Sequence, residues 1–427
     1  MLLKKMSLAA AISLGLAAAG GQAADDEAAL DLQIEDKSSA PAKSATPAQS
    51  GRLSVELALG VLQHRGRGET VDTHRSAVDF RQTWALAPGW RLGLSNRLDQ
   101  QRTIDDDDQA TVNSLREAYV SWQQQADAPW AVDVGRLQLR NGPAFGFNPT
   151  DFFRRGSLRT LTTADPIALR ENRLGTVLVR AQKLWADASL SVAVAPKLAS
   201  TPSDGSFSLD LGSTNAQHRV LATWSQRLNE RVSGQLLWLG ERGASPQFGA
   251  SATALFGDAV VGFAEWAGGR RPALLDELAG ANSPERWRNQ LATGATVTLP
   301  AQWAVTLELD YNGAGPRQAD WMAVAATSPA VLGQYIGAAA FAQDSASRSA
   351  WMLYATKKAL FVSNLDFTGL VRQNRDDNSW FAWIELRHHW RNADLALQWQ
   401  RAHGGQISEY GLIPNKQSLQ LVGTWFF

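Results

Sequence analysis

The sequence has 427 residues, 41 basic and 41 acidic side chains, and no cysteine. A balanced charge provides no field for a nucleic acid partner, and the lack of cysteine excludes disulfides, thiolate metal sites and cysteine nucleophiles. The length suits one large domain with a short additional segment, and 17 Trp against 5 Tyr is an unusual ratio for a soluble domain.

Residues 1–23 have the pattern of a secretory signal peptide. Lys4 and Lys5 form a basic start, residues 6–19 are apolar, and Gly21 and Ala23 are the small residues that precede a cleavage site. The apolar run of about 14 residues is too short to span a bilayer well. We therefore expect cleavage after Ala23 and export of the rest of the chain. A lipoprotein is excluded because there is no cysteine.

Residues 24–50 begin acidic and continue in Ala, Pro, Ser and Gln. The segment lacks an apolar face wide enough to pack, so it is predicted to be a flexible periplasmic tail, with at most one short helix. A role in binding a partner is the alternative to a plain spacer.

The barrel prediction rests on period-two alternation from Gly51 onward. In residues 301–312, one side of the pattern carries Trp, Val, Leu, Leu and Tyr, and the other carries Ala, Thr, Glu, Asp and Asn. Alternation of this kind predicts a strand with one apolar and one polar face. In an exported chain without a helix long enough to span, the apolar face would contact lipid and the polar face would line a lumen.

About 18 segments of roughly ten residues fit this pattern, the length that a tilted spanning strand needs. We predict an all-β fold, a single antiparallel transmembrane β-barrel over residues 51–427, with 16 strands as the alternative count. The predicted strands cover residues 52–63, 73–86, 89–99, 112–124, 129–139, 173–183, 185–196, 217–228, 230–240, 247–256, 258–267, 286–299, 301–312, 348–357, 360–372, 379–390, 393–402 and 417–427.

The predicted connections alternate between short and long. Short turns lie at 87–88, at Asp127, at Asn229, at Pro300 and at Asn392, and loops such as 140–172, 197–216 and 313–347 lie between them. Short periplasmic turns that alternate with long extracellular loops are typical of outer-membrane barrels. An even strand number also puts both chain ends in the periplasm.

Tryptophans flank the short turns, which predicts a periplasmic aromatic girdle, since indole rings prefer the headgroup level. These are Trp84, Trp90, Trp122, Trp130, Trp224, Trp303, Trp390 and Trp425.

The last residues alternate Leu419, Leu421, Gly423, Trp425 and Phe427. This ending resembles that of outer-membrane barrels as a class, in which a terminal amphipathic strand with a final aromatic is the signal read by the barrel-assembly machinery. The resemblance implies that machinery as a partner through the strand that ends at Phe427, with outer-membrane lipid around the barrel.

Catalytic and metal-binding patterns are weak. The adjacent His388 and His389 point to opposite sides of a strand, and no HExxH, GxSxG or P-loop motif occurs. His403 and Ser408 share a loop without an evident orienting carboxylate. We predict neither an enzyme nor a cofactor or metal site, with a barrel enzyme as the third functional alternative.

Strand parity places charges of both signs on the lumen side, where they would form either a selectivity ladder for anionic or hydroxylated solutes or a set of salt-bridged struts. The candidate pore-lining residues are Arg81, Arg91, Arg180, Arg219, Arg286, Arg288, Glu308, Asp310 and Arg387. The same parity puts inward Asp79, Arg97, Glu117, Asp133, Arg227, Arg231, Asp366, Arg372 and Glu385. A single β-bulge would reverse part of this assignment.

The loop of residues 140–172 is too apolar, with four phenylalanines, to lie free in water. If it folds into the lumen, it would bury those rings and present Asp151, Arg154 and Arg155 at a constriction. The alternative is a lid packed on the barrel rim.

Residues 135–142 read GRLQLRNG, and residues 148–151 read NPTD. This pair resembles a segment of the large porin-like outer-membrane proteins, the substrate-specific porins and the alginate-exporter type. The resemblance implies passive passage of a solute or polysaccharide through an Arg-rich pore of about 18 strands. The acidic lumen positions depart from a purely cationic pore.

These patterns together predict a bacterial outer-membrane protein that acts as a passive channel for hydrophilic, anionic or sugar-like solutes. The alternatives are a secretion pore for an exopolysaccharide and a plugged barrel that serves as a structural or interaction scaffold.

Overall fold

The computed structural model describes residues 51–66, 70–103, 109–124 and 129–427. The predicted signal peptide, the predicted tail and the turn at Asp127 lie outside these ranges. The described residues form one closed sheet of 18 antiparallel strands, in which each strand pairs with its neighbours in sequence and the first pairs with the last. The closing seam runs from Ser54 opposite Phe426 to His64 opposite Asn415.

The strands lie close to their predicted spans. The first nine are β1 Gly51–His64, β2 Thr70–Ala87, β3 Trp90–Thr103, β4 Gln109–Gln123, β5 Trp130–Leu137, β6 Thr176–Leu184, β7 Ala188–Ala195, β8 Arg219–Asn229 and β9 Val232–Glu241. The other nine are β10 Gln247–Phe256, β11 Val260–Arg271, β12 Arg286–Leu299, β13 Trp303–Asn312, β14 Ser349–Lys357, β15 Leu365–Asn374, β16 Trp380–His389, β17 Ala393–His403 and β18 Asn415–Phe426. The count of 18 confirms the prediction over the alternative of 16.

The largest difference from the predicted strand starts is in β15. Strand β15 starts at Leu365 rather than at residue 360, because the chain first makes a turn. Ala359 has a φ of 53°, and the amide of Leu360 donates to the carbonyl of Leu365 at 2.7 Å.

The two faces of the sheet separate as the alternation predicts. In β13, Leu307 and Leu309 are 49% and 48% exposed on the outer face, whereas Glu308 is fully buried on the inner face. Strand β18 follows the same rule, with Leu419 and Leu421 exposed on the outer face and Ser418 buried on the inner face. The outer face is therefore apolar and the inner face polar, as a membrane-spanning barrel requires.

Tryptophans on the outer face form two belts. Trp90, Trp130 and Trp390 are exposed beside the short turns, as predicted. A second belt, absent from the prediction, lies at the opposite ends of the strands and includes Trp238 and Trp287. Aromatic belts at both levels mark the two headgroup regions between which the apolar band fits.

A charged residue on the outer face should destabilise the barrel. Leu307→Arg puts a guanidinium on the lipid face near mid-strand, which should lower the free energy of unfolding by about 2–4 kcal/mol. Denaturant unfolding from lipid vesicles, followed by tryptophan fluorescence, measures it. Gln400→Arg, on the inner face of β17, is the matched control and should change stability much less. Equal losses for both variants would contradict the assignment of faces.

The connections differ sharply between the two ends of the barrel, called here the short-turn end and the long-loop end. The short-turn end has links such as residues 230–231 and 390–392, while the long-loop end carries residues 138–175, 196–218 and 313–348. Five helices lie in the long loops: α1 Pro166–Glu171, α2 Leu211–Thr214, α3 Leu274–Leu278, α4 Gln318–Thr327 and α5 Pro329–Ala342. None of the helices in the described ranges is both long and apolar enough to cross a bilayer.

The side loop, residues 196–218, covers a free strand edge. Strand β5 is short, so the upper part of β4 has no strand partner on that side. There the amide of Asn113 donates to the carbonyl of Ser206 at 2.7 Å, and Arg159 donates to the carbonyls of Asn113 and Ser208. These bonds satisfy backbone groups that an exposed edge would leave open.

Candidate functional site

The inner face of the barrel carries the charged residues that strand parity places there. All nine wall candidates lie on it: Arg81, Arg91, Arg180, Arg219, Arg286, Arg288, Glu308, Asp310 and Arg387. Their surroundings differ. Some of these residues form ion pairs with a neighbouring side chain, and others keep a free charge.

Several wall candidates are held in ion pairs. Arg180 lies 2.7 Å from Asp133, and Arg387 lies 2.8 Å from Glu385. Asp310 lies 3.1 Å from Arg372. These pairs form along one strand, between neighbouring strands or, for Asp310 and Arg372, between strands two apart, and they stiffen the wall while cancelling much of its charge.

A larger cluster of paired charges lies on the inner face of β1 to β4 near the long-loop end. Its members are Glu56, Arg75, Asp79, Arg97, Asp99 and Arg116. Arg116 is almost fully buried, and it makes a bidentate contact with Asp79 at 2.8 and 2.5 Å. Three guanidinium groups face three carboxylates, so the cluster is close to neutral while its fixed dipoles point across the lumen.

Other arginines on the wall keep their charge. No carboxylate in the described part of the chain pairs with Arg81, Arg91 or Arg286. Arg219 lies over the ring of Phe153, 4.2 Å from its centroid, and Arg288 donates to the carbonyl of Arg271 at 3.0 Å. These arginines therefore add positive charge to the wall that no described carboxylate neutralises through an ion pair, and positive charge of this kind favours anions in the lumen.

The insertion loop, residues 138–175 between β5 and β6, enters the barrel. Glu308, on the inner face of β13, accepts the backbone N–H groups of Phe145, Gly146 and Phe147 at 2.7, 2.9 and 2.9 Å. A carboxylate that accepts three backbone amides is a strong anchor, since each bond is charge-assisted. The start of the loop is therefore fixed against the wall several strands away from β5.

Glu265 of β11 is a second anchor. Its carboxylate accepts the amide of Ala144 at 2.6 Å and the hydroxyl of Thr150 at 2.8 Å. Gly142 lies against the same carboxylate with a φ of +80°, and a Cβ there would come within 2.3 Å of it. This close approach explains the glycine, because any side chain would push the loop off its anchor.

The loop then crosses to the far wall and returns. The rings of Phe147 and Phe153 are almost completely buried. Ala164 and Ile167 pack on a cluster of wall residues from β14 to β16 that contains Met352 and Trp383. The chain comes back to β6 through α1, so the loop divides the lumen rather than lying on the rim.

The three loop candidates have different environments. Asp151 is fully buried and pairs with Arg173. Arg154 is buried, donates to the carbonyl of Asn148 and pairs with Asp344 of the loop between β13 and β14. Arg155 is exposed. Asp151 and Arg154 therefore hold the loop in shape, while Arg155 alone of the three presents its side chain to solvent.

The helices α3, α4 and α5 pack together over the long-loop end. Leu275, Trp321, Leu332 and Tyr335 form their buried core. The indole N–H of Trp321 donates to the carbonyl of Ile407 at 2.5 Å. This bond ties the helices to the cap loop, residues 404–414 between β17 and β18, so three loops meet at this end.

A buried carboxyl in the cap loop makes this packing depend on pH. Burial, with a smaller contribution from Asp377, raises the pKa of Glu409 to about 7 against the opposing effect of Arg372. Because the packed loop binds the proton more tightly than an open one, its stabilisation is complete below the ordinary pKa and is lost as pH rises through about 7. Tyr410 also lies beside these groups.

We expect hydrogen exchange of the cap loop to be slower at pH 5 than at pH 8. Glu409→Gln, which stays neutral, should remove most of this pH difference, after correction for intrinsic exchange. Asp320→Asn, on exposed α4 surface, is the control and should retain it. A pH difference that persists in Glu409→Gln would show that another group is responsible.

Two lumen-facing residues, Arg116 and Glu265, were not assigned from the sequence. Arg116 faces inward because a β-bulge opposite Ser95 and Asn96 places it on the same side as Glu117. Glu265 was not assigned to the lumen, although it lies in a predicted strand. The signal that could have found it is a lone acidic residue in an otherwise apolar strand.

The similarity of this chain to known proteins lies in its fold. Neither the protein-family models nor the curated proteins gave a match. Among solved structures, Acinetobacter baumannii OccAB1 is similar with a TM-score of 0.54 and 9% identity over 89% of this chain and 96% of that one. Pseudomonas aeruginosa OpdL has a TM-score of 0.53 and 10% identity over 89% and 98% of the two chains.

Pseudomonas aeruginosa OccK2, solved in complex with glucuronate, has a TM-score of 0.50 and 12% identity over 89% of this chain and 98% of that one. The outer membrane protein OprD of the same organism also has a TM-score of 0.50, with 10% identity over 88% and 94%. At these identities the likeness shows the architecture alone. The chain has the closed 18-stranded antiparallel barrel fold of these outer-membrane proteins.

Proposed function

We propose that the protein is a passive channel of the bacterial outer membrane for hydrophilic solutes, with a preference for anionic or sugar-like ones. The observation that carries this proposal is the insertion loop, which Glu265 and Glu308 hold inside a barrel whose wall carries arginines without carboxylate partners in the described part of the chain. A loop that narrows a charged lumen makes a selective passage out of a wide one.

Transport requires no energy source in this proposal. A solute would exchange part of its hydration shell for guanidinium and carboxylate groups on the wall. Arg81 and Arg91 could each bind a carboxylate or phosphate in a bidentate manner, because the guanidinium is planar and always charged. The paired charges of β1 to β4 would orient hydroxyl groups without retaining them strongly.

The similarity in fold adds support of a general kind. OccK2, of the same architecture, was solved with glucuronate, a sugar that carries a carboxylate. The outer face fits a lipid bilayer, and an outer-membrane barrel that ends in an aromatic strand at Phe427 would be inserted by the barrel-assembly machinery. The proposed wall residues remain Arg81, Arg91, Arg180, Arg219, Arg286, Arg288, Glu308, Asp310 and Arg387, with Asp151, Arg154 and Arg155 in the loop.

Single-channel recording in planar bilayers tests the proposal. The purified protein should give discrete current steps, and a salt gradient should reveal a preference for anions. A folded protein that conducts no current would contradict a channel.

The exposed loop arginine gives a sharper test of the constriction. Arg155→Ala should lower the ratio of anion to cation permeability, because it removes a charge that no carboxylate of the described residues neutralises. Arg270→Ala, at an exposed position on the outer face of β11, is the matched control. An unchanged ratio in Arg155→Ala would place that residue outside the ion path.

A plugged barrel that acts as a scaffold is the second candidate. The packing of α3, α4 and α5 against the cap loop favours it, because these elements cover the long-loop end. The same recordings separate the two candidates, since a scaffold would stay silent while folding correctly.

A further inference from the structure

The outer face of β13 to β15 changes in character toward the long-loop end. Leu307 lies opposite Leu353, and both side chains are exposed. One step further along the face, Leu309 lies opposite Trp351, and the next outward position in β13 is Tyr311. The face thus passes from aliphatic to aromatic side chains, as a barrel does where acyl chains give way to headgroups.

Two arginines lie beyond the aromatic residues of this face. Arg348 precedes β14, and its guanidinium lies over the ring of Tyr311, 5.5 Å from the centroid. It donates to the hydroxyl of Tyr311 and to the carbonyl of Gly315, both at 3.1 Å. Arg375 follows β15, is exposed, and donates its amide to the carbonyl of Ser349 at 2.9 Å. The two arginines therefore occupy neighbouring strand ends.

Arg375 belongs to the outer face by alternation. Two residues earlier, Gln373 accepts the indole N–H of Trp351 at 2.9 Å on that face, and Asn374 between them is buried. Both arginines thus lie on the side of the sheet that faces away from the lumen. We call the following group the rim patch: Tyr311, Arg348, Trp351 and Arg375.

Neither arginine of the rim patch forms an ion pair with a carboxylate of the described residues. The nearby acids accept backbone amides instead: Asp376 from Ser349 at 3.2 Å, and Asp377 from Ser379 at 2.8 Å. A guanidinium has five N–H donors, of which Arg348 directs two at the protein. Even with Asp376 beside it, the patch keeps an excess of positive charge and several donors for an external anion.

The position of the rim patch determines the kind of anion that can reach it. A charge on the lipid-facing side of a barrel is costly within the apolar band and is tolerated at the level of the headgroups. Because long loops face the exterior, the patch lies in the outer leaflet, where the main lipid is lipopolysaccharide, a glycolipid with phosphates on its glucosamine headgroup. Arginine binds phosphate through two parallel hydrogen bonds. The acyl chains of the same molecule would lie along Leu307, Leu309 and Leu353.

We propose that the rim patch binds a phosphate of lipopolysaccharide, with Arg348 and Arg375 as its ligands and the rings of Tyr311 and Trp351 beneath the sugar headgroup. The site requires a membrane-spanning barrel but not conduction, so the inference goes beyond the proposed channel. Tyr311 holds Arg348 in place before binding, which lowers the entropy lost when the lipid binds. Binding braces the end of the loop that carries α4 and α5, because Arg348 is its last residue.

The first experiment titrates diphosphoryl lipid A, the phosphorylated anchor of lipopolysaccharide, into the purified protein in mild detergent and counts bound lipid by native mass spectrometry. Arg348→Gln combined with Arg375→Gln should weaken the apparent affinity at least about tenfold, because two charge-assisted contacts are lost. Arg231→Gln, in an exposed turn at the short-turn end, is the matched control and should bind as the unaltered protein does. Equal affinities of the double variant and the control would overturn the proposal.

Arg375→Gln alone covers the case in which the double variant does not fold. No hydrogen bond or ion pair joins the guanidinium of Arg375 to another described residue, so its loss should leave the barrel intact. This variant should bind lipid A about threefold to tenfold more weakly. Arg375→Lys keeps the charge but not the paired hydrogen bonds, and its affinity should lie between those of Arg375→Gln and the unaltered protein. Heat-dependent gel mobility verifies folding, and an unchanged affinity of folded Arg375→Gln contradicts the site.

The second experiment separates the possible sources of phosphate. Phosphatidylglycerol, whose phosphodiester carries a single charge, should bind at least about tenfold more weakly than lipid A, and inorganic phosphate at millimolar concentration should not displace lipid A. Binding of lipid A should weaken at 1 M salt, where the screening length falls to about 3 Å. Equal affinity for phosphatidylglycerol would indicate a general anionic surface, and displacement by inorganic phosphate would indicate a site for the free ion. Either result overturns the assignment to lipopolysaccharide.

A second copy of the chain is the other occupant that could cover the rim patch. The same mass spectra report the oligomeric state. If Arg375→Gln dissociates an oligomer while lipid A binds as before, the patch is a protein interface and the proposal is wrong. A silent barrel that binds lipid A through the two arginines supports the inference and contradicts the channel, whereas a conducting barrel whose lipid binding ignores them has the opposite meaning.

Discussion

Glu308→Ala is expected to raise the single-channel conductance severalfold and to add slow fluctuations to the current. The substitution removes the acceptor of three backbone amides at residues 145–147. Each buried donor left without a partner costs about 1–3 kcal/mol, so the anchored position of the loop loses several kcal/mol. Every 1.4 kcal/mol shifts the balance between anchored and displaced loops about tenfold. A loop that leaves the wall would widen the passage.

Glu308→Gln and Thr306→Ala are the controls for this prediction. The glutamine keeps one carbonyl oxygen for the loop amides and should have a smaller effect. Thr306 lies on the same inner face, but its hydroxyl bonds to Thr296 at 2.7 Å and not to the loop. Conductance that is the same in all three variants would show that the loop does not limit the current.

Arg154→Ala is expected to loosen the contact between the insertion loop and the loop that carries α4 and α5. Burial works against ionisation of Asp344, yet the guanidinium groups of Arg154 and Arg271 outweigh it, and the pKa of Asp344 is lowered. Removal of one partner from a fully buried ion pair costs about 3–5 kcal/mol, and the loss here should be smaller because the Asp344 side chain is 25% exposed and keeps Arg271 nearby. Hydrogen exchange in residues 138–175 should accelerate by at least about tenfold.

Asp344→Asn tests whether the two residues are coupled, and Arg155→Ala is the control. If the pair acts as a unit, the double variant Arg154→Ala with Asp344→Asn should be less disturbed than the sum of its single variants. Arg155 is adjacent in sequence but exposed, so Arg155→Ala should leave the exchange rates unchanged. Additive effects at Arg154 and Asp344 would contradict a direct coupling.

The strands could be predicted because their pattern is local. Every second side chain must suit lipid, whatever the neighbouring strand contains, so Leu307 and Leu309 reveal the outer face without knowledge of their partners. The same reasoning assigned Glu308 and Asp310 to the inner face. The start of β15 was predicted too early because the turn after Lys357 contains apolar residues that continue the pattern.

Other features depend on contacts that the local pattern does not contain. The bulge that turns Arg116 inward adds a single residue to one strand and leaves the alternation on either side intact. In β11, Gly262, Ala264 and Gly268 occupy the outer face, and these small side chains weaken the contrast that would have marked Glu265 as inward.

The candidate site was predictable only in part. Four phenylalanines in residues 140–172 indicate that the loop must bury its rings, and the structure buries Phe147 and Phe153 inside the barrel. Which charges stay free depends on distant segments. Arg154 forms an ion pair with Asp344, which lies 190 residues later in the chain, and Asp151 forms one with Arg173. No spacing in the sequence distinguishes these two residues from the exposed Arg155.

The closing seam bears on the speed of folding. Seventeen of the strand pairings join neighbours in sequence, whereas Ser54 meets Phe426 across almost the whole chain. Hairpins form in microseconds, but a contact between distant residues must first overcome the entropy of closing a very long loop. We expect the docking of β18 onto β1 to be the slow step, so that a fluorophore pair placed across this seam reports a late phase that pairs within a single hairpin do not share.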